Sequence, residues 1–415
     1  MVLKLDPRWG YKSPVIAAPK ASAAVPKGAA LAPEIDASGP VIGGVKPPAG
    51  AIATLNAYAP TKAVGAHELM IASYNIENLF DTVKDPEKKD EQFTPGGEYA
   101  WTEAKLNRKL KNLGKSIRLM NGGQGPSILA LTEVENKAIA MRLRDEQLAD
   151  LGYQTVVHLE GDDKRGIDNA IFSKYPLIGE AKLHKIHLSP LPIWKDQVTR
   201  GILEATFDVE GVPLTVFVCH WPAGLDWKQR QEQRVDAGKQ LRAIIEAKLA
   251  KDPGAEILVM GDFNANPGEA AFGDKGLSAS GDAAAVKQKD ALLYSTVASL
   301  ADQVSGHTLG AAPKLSAVEA MLAAQGPALG THWDSWTKKW NLIDQIFVSR
   351  GLLDNKGLAW VPGSTQVLRD PSLLDEEQRP RYTFPEKLKY KDTTAADIGV
   401  SDHLPLVARL VRKLV

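Results

Sequence analysis

"AEILVMGDFNANP", residues 255–267, runs apolar from Ile257 to Met260 and then breaks onto Gly261, Asp262 and Asn264. A short unbroken apolar run predicts a strand covered on both faces. Asp262 and Asn264 stand two apart, so on a strand or its extension they face the same side. An acid there can orient and deprotonate water, and a carboxamide can steady a phosphoryl oxygen without adding charge. The plain alternative is a Gly/Asn/Pro turn with incidental polar groups.

Outward from that stretch the pattern recurs. "LMIASYNI" (69–76) runs apolar to Asn75, with Glu77 just beyond, and "SILALTEVEN" (127–136) runs to Glu133. "LTVFVCHWP" (214–222) reaches His220, while "NLIDQIFVS" (341–349) and "VSDHLPLVARL" (400–410) carry Asp344 and the pair Asp402–His403. "IDNAIFSKYPL" (167–177) and "GILEATFDV" (201–209) read as two further strands. "WTEAKLNRKLKNLGKSIRLM" (101–120) sets Leu106, Leu110, Leu113 and Ile117 on one helical face. "WKQRQEQRVDAGKQLRAIIEAKLA" (227–250) predicts a long helix with Trp227, Val235, Leu241 and Ile245 inward. Interleaved strands and helices argue an α/β domain, and the hairpin-like neighbours 200–209 and 213–219 argue mixed sheets. One polar strand end is ordinary. Six, all carboxylate, carboxamide or imidazole, argue one shared rim where a ligand binds.

Composition sets the bounds. Lys+Arg and Asp+Glu both total 50, so the whole chain offers no net attraction to nucleic acid. The single cysteine, Cys219, excludes an internal disulfide framework and a multi-cysteine zinc site. No apolar run reaches the length of a membrane span, which predicts no integral membrane association. Residues 1–10 lack the apolar core of a signal peptide, which predicts a cytoplasmic protein unless a leader was removed. Residues 1–66 hold 16 Ala, 9 Pro and 7 Gly with no sustained period, and read as a flexible arm ahead of a folded domain over 67–415. Within the arm, "KLDPRWGYKSPVI" carries Trp9, Tyr11 and Ile16, able to dock on a protein partner or on the domain itself.

Seven stretches in order resemble the endonuclease/exonuclease/phosphatase superfamily of DNase I-like enzymes: "YNIENLFD", "LTEVEN", "RGIDNAIF", "CHWPAG", "GDFNANP", "LIDQIFVS" and "SDHLPL". They span residues 70–410, and "GDFNANP" with "SDHLPL" is the specific combination. The segment Thr94, Pro95, Gly97 and Trp101 adds likeness to a bacterial branch, from which Ala223 departs where that branch has Ser. The resemblance implies a four-layer α/β sandwich of two mixed sheets with helices outside. It also implies a metal-dependent phosphodiesterase in which Asp344 orients His403, Asp168 orients His220, and Arg200 grips the scissile phosphate.

Hard oxygen ligands suit Mg2+, with Mn2+ or Ca2+ as substitutes. Glu133 is the expected main ligand with Asn75 beside it; Asp402 is an expected contributor, and Glu77 is a group behind the ligands, a second-metal group or a turn acid. Asp262 orients water, and Asn264, His403 and His220 surround the phosphoryl oxygens. Nucleic acid is the expected substrate, with Trp221 and the cluster Trp333, Trp336 and Trp340 able to stack bases or simply to pack a core. Phospholipid head groups, inositol phosphates and other small phosphoesters are the alternative substrates, and a non-catalytic binding module is the reading from another class. Oligomeric state has no signature in the sequence.

Overall fold

The computed structural model describes residues 3–6, 11–14, 67–191, 199–224, 228–300, 322, 329–385 and 389–413. Met1–Lys46 and Pro47–Val415 form two separate units. In the first, Leu3–Asp6 pairs antiparallel with Tyr11–Pro14. Apart from that hairpin, the flexible arm expected over 1–66 lies outside the described residues, and the division between units falls at Lys46/Pro47.

In the second unit eight strands position the site: β1 (Glu68–Leu79), β2 (Ile128–Val134), β3 (Asp168–Ser173), β4 (Ile202–Val209), β5 (Val212–His220), β6 (Glu256–Asp262), β7 (Asp344–Val348) and β8 (Leu406–Arg412). One sheet runs Leu358–Trp360, β8, β1, β2, β3, Thr155–His158. The other runs Ala279–Ser280, Leu293–Ser295, β7, β6, β5, β4, Leu177–His184. Both are mixed, as expected: β1–β2 and β5–β6 are parallel, while β8–β1, β2–β3, β6–β7 and β4–β5 are antiparallel.

Alternation along the strands shows what covers each face. Val216 and Val218 of β5, with Leu258 and Met260 of β6, share a core with Leu131 and Ala170 of the facing sheet. Their neighbours Phe217, Cys219, Ile257 and Val259 point the other way, onto Leu241 and Ile245 of the helix Lys228–Lys251. Leu106, Leu110, Leu113 and Ile117 of the helix Glu103–Arg118 are all buried, as their spacing predicts. Helix, sheet, sheet and helix make the expected four layers. Each buried aliphatic side chain contributes roughly 1.5–3 kcal/mol, so the site rests on a stiff double sheet.

The helix Lys228–Lys251 turns Val235, Leu241 and Ile245 inward as expected, and its first turns add polar groups to that face. Trp227 lies outside the described residues, and the first turns also bury Arg230, Gln233 and Arg234. The Arg234 guanidinium donates to the carbonyls of Pro222 and Gly224 at 3.1 and 3.3 Å, tying the helix to the loop after His220.

Three local features aim the strand ends. Gly261 has φ 144°, and a Cβ there would lie 1.9 Å from the Cys219 carbonyl oxygen, so only glycine lets β6 run this close to β5 just before Asp262. The β1–β2 pairing is regular as far as Asn75–Thr132 and then jumps to Leu79–Val134. The β2–β3 pairing jumps between Thr132 and Val134. At these breaks Glu77, Asn78 and Glu133 take φ of 49°, 55° and 68°, a left-handed backbone that non-glycine residues seldom adopt. A bulge re-aims side chains, and here it turns two carboxylates toward the rim. Among the described residues, no helix is long and apolar enough to cross a membrane.

Candidate active site

Register brings the second sheet's polar ends together. Asp262 sits opposite His220 across the parallel pair and opposite Asp344 across the antiparallel one. The facing sheet supplies Asn75, Glu133 and the turn before β8. Asp262 Oδ2 is the hub. It accepts from Asn75 Nδ2 at 3.0 Å and lies 3.5 Å from His220 Nε2 and 3.7 Å from His403 Nε2. Its other oxygen accepts from the Asn264 backbone N–H at 2.8 Å. Asp344 Oδ2 stands 2.7 Å from His403 Nδ1. Ser401 Oγ donates to the Asn75 carbonyl at 2.7 Å and accepts from the His403 N–H at 3.0 Å, so the "SDH" turn is locked to β1.

Burial dominates the electrostatics. It pushes the Asp262 carboxyl up to about 7, with Asp344 adding to the rise and His403 opposing it. Asp402 is held well above the usual carboxylate range, first by burial and then by Glu77 and Glu133, despite His403 and Lys109. His220 is held well below the ordinary imidazole range by burial, and Arg200, Arg165 and His403 press the same way. His403 goes the opposite way. Burial works against its charge, yet Asp344, Asp402 and Asp262 together raise it well above the ordinary value. Two imidazoles at one rim are thus set apart, one neutral and one cationic near neutral pH.

Several expected roles change in the structure. Asp168 and His220 make no hydrogen bond to each other. They lie on facing sheets, and Asp168 instead accepts from the Gly161 N–H at 3.0 Å. Asp168 Oδ1 and His220 Nδ1 are buried without a hydrogen-bond partner. Asn75 was expected beside the metal as a ligand. Its side-chain Oδ1 accepts the Glu77 N–H at 2.9 Å and its Nδ2 bridges Asp262 and Glu133, so it holds carboxylates together. Asn264 turns its amide onto the Trp221 carbonyl at 3.0 Å and so braces the loop after His220. Trp221 is 1% exposed and packs edge-on against Phe263, so it is core and stacks no substrate. Arg200 is buried, with Nε 3.5 Å from Asp163 Oδ2, on the His220 side of the rim.

Two residues near the site escaped the sequence reading. Lys109 is fully buried, donates to Thr383 Oγ1 and the Val400 carbonyl, and has its pKa pulled down to about 8 by burial. Its signal was a polar row, Lys105, Lys109 and Asn112, at helical spacing beside the apolar stripe. His332 lies in a hairpin whose place against His403 no local pattern announces.

The acidic side of the rim fits a divalent cation. Glu133 is buried, with one oxygen accepting the Asn78 N–H at 2.8 Å and the other 3.8 Å from His220 Nε2. Asp402 Oδ1 is buried with no hydrogen-bond partner. Glu77 accepts the Thr383 N–H at 2.6 Å. Glu133, Asp402 and the half-buried Glu77 share one acidic patch that Lys109 and His403 offset without bringing Asp402 back to the usual carboxylate range, and their donors are hard oxygens.

A double-sheet sandwich with an Asp–His pair, a second imidazole and an acidic patch at one rim defines the class of metal-dependent phosphoester hydrolases. The sequence profile of the Endonuclease/Exonuclease/phosphatase family matches residues 70–310. The chain belongs to that family, whose members are hydrolases of phosphate esters that use divalent metals. Solved structures similar to it include truncated Caenorhabditis elegans TDP2, at 12% identity and TM-score 0.44, covering 83% of this chain and 97% of that one. The endonuclease/exonuclease/phosphatase of Beutenbergia cavernae is similar at 16% identity and TM-score 0.45, covering 83% and 72%. Staphylococcus aureus beta toxin is similar at 17% identity and TM-score 0.46, covering 82% and 99%. No curated protein matches the sequence.

Proposed function

We propose that this protein is a divalent-metal-dependent phosphodiester hydrolase acting on nucleic acid, DNA in the first place and RNA in the second. The observation that carries the reading is the convergence on Asp262 Oδ2 of Asn75, His220 and His403 at 3.0, 3.5 and 3.7 Å. Asp262, held at about 7, is poised to take a proton from water, and Asn75 and the Asn264 N–H fix its orientation. His403, kept cationic by Asp344, donates from Nε2 to a phosphoryl oxygen. His220, kept neutral, shares a hydrogen bond there without adding charge. A divalent cation held by Glu133 and Asp402, with Glu77 behind them, would shield the phosphate and stabilise the leaving oxygen. Arg200 lends positive potential on the His220 side.

Nucleic acid is favoured by the hairpin His332–Asp334/Lys339–Asn341, which pairs with the His403 turn. At its tip Trp336 is 71% exposed beside the exposed Lys338 and Lys339. An aromatic face flanked by cations suits a stacked base and its phosphates. Parallel assays on plasmid DNA, RNA and bis-p-nitrophenyl phosphate with Mg2+ test the reading. Cleavage of DNA, reduced by Trp336→Ala with bis-p-nitrophenyl phosphate turnover retained, is the expected outcome. Turnover of the small ester with neither polymer cut would refute the substrate assignment.

A further inference from the structure

The hairpin His332–Asp334/Lys339–Asn341 does more than flank the site. Leu404 N–H donates to the Thr331 carbonyl at 2.7 Å, and the Tyr382 hydroxyl donates to the Trp333 carbonyl at 2.6 Å. His332 and His403 form a β-bridge that brings their rings together, with centroids 4.7 Å apart and planes tilted 40°. Beside them Asp402 Oδ1, buried and without a hydrogen-bond partner, lies 3.9 Å from His403 Nε2. One ligand atom from each of His332, Asp402 and His403 lies within 4.8 Å of the other two. His403 Nδ1 is held by Asp344 at 2.7 Å, and an imidazole bonded this way presents its opposite nitrogen to a cation.

We propose that His332, Asp402 and His403 form a binding site for a borderline divalent cation such as Zn2+ or Co2+. Two imidazoles and one carboxylate are the donors such ions prefer, and they leave a fourth position open. Mg2+ demands oxygen ligands and belongs to the carboxylates around Glu133. Metal–ligand bonds of about 2.0–2.1 Å put tetrahedral ligand atoms about 3.4 Å apart. The trio, with its ligand atoms within 4.8 Å of one another, needs to draw in by up to about 1.4 Å to reach that spacing. The site shares Asp402 with the magnesium set and takes up His403 Nε2, the atom that faces Asp262 at 3.7 Å, so binding displaces the proton that the surrounding carboxylates keep on that imidazole and releases it to solvent. Occupancy would stop hydrolysis at the same centre; that consequence rests on the proposed function, whereas the binding does not.

The test uses Zn2+ alone on the full chain after chelator treatment. X-ray absorption at the zinc edge, with one equivalent bound, is expected to show two imidazoles in the first shell. Calorimetric titration is expected to show one tight site, weakened at least about 10-fold in both His332→Phe and His332→Gln. A zinc shell with fewer than two imidazoles in the unaltered protein would overturn the proposal. So would undiminished affinity in either variant that keeps the native circular dichroism spectrum. None of these readouts uses hydrolysis, so inactivity toward every phosphodiester would leave the site's assignment intact.

Discussion

Asp344 Oδ2 lies 2.7 Å from His403 Nδ1, with both side chains buried and the two residues 59 positions apart in the chain. Asp344 opens β7 and His403 precedes β8, so the pair clasps the two sheets at the rim. Burial alone would strip the imidazole of its proton; Asp344 leads the carboxylates that keep it.

Asp344→Asn keeps the shape of this pair and removes its charge. His403 then loses its proton at lower pH, so the alkaline limb of the kcat profile should move down. Turnover near pH 8 should fall about 100-fold or more, while the loss narrows toward acidic pH. An alkaline limb in the same place as in the unaltered protein would contradict the role given to Asp344.

Glu133→Gln removes one charge from the acidic patch and keeps the Asn78 N–H contact available. Magnesium affinity, measured by calorimetry or by the concentration giving half-maximal activity, should weaken at least about 10–100-fold. Saturating metal should recover part of the turnover. Unchanged affinity would move the cation elsewhere.

Stability should depend on pH with a definite sign. Burial raises Asp168, Asp262 and Glu256 to about 7 and Glu135 to about 8, against an ordinary carboxylate value near 4. Between about pH 4 and 8 the folded metal-free protein therefore holds protons that the unfolded chain has released, and stability falls as pH rises. His403 adds to that fall. His220, whose pKa is held down, opposes it below about pH 6.5. Melting temperatures in chelator from pH 5 to 8.5 should decline, and Asp262→Asn should raise the value at pH 8 by a few degrees. A melting temperature that climbs across this window would contradict the burial argument.

Asp168 bonds to Gly161 and not to His220. Its loss should therefore disturb the Gly161 loop independently of the imidazole, and the activity losses of Asp168→Asn and His220→Ala should add in the double variant. A double variant no worse than His220→Ala alone would show that the two side chains couple during turnover.

Much of this site was legible because apolar runs ending in acids, amides and imidazoles mark strands that meet at one rim. Asp262, Asp344, His220, Glu133 and the Asp402–His403 pair were placed that way, and register brings Asp262, Asp344 and His220 side by side. What pattern could not give is which strands become neighbours. Asp168 was expected to orient His220, yet their strands fall on facing sheets, since sheet partners are chosen by long-range packing. The bulges that turn Glu77 and Glu133 inward were equally silent, because their left-handed φ comes without a glycine. His332 reaches His403 through a hairpin 71 residues upstream in sequence, a contact with no local signature.

The most direct test is hydrolysis of bis-p-nitrophenyl phosphate by the full chain and by Asp262→Ala, each with Mg2+ and with excess chelator. A metal-dependent phosphodiesterase centred on Asp262 requires turnover with Mg2+ and none with chelator. It also requires a loss of roughly 1,000-fold or more in a variant that still melts cooperatively. Turnover that survives chelation, or a folded Asp262→Ala protein as active as the original, would contradict it.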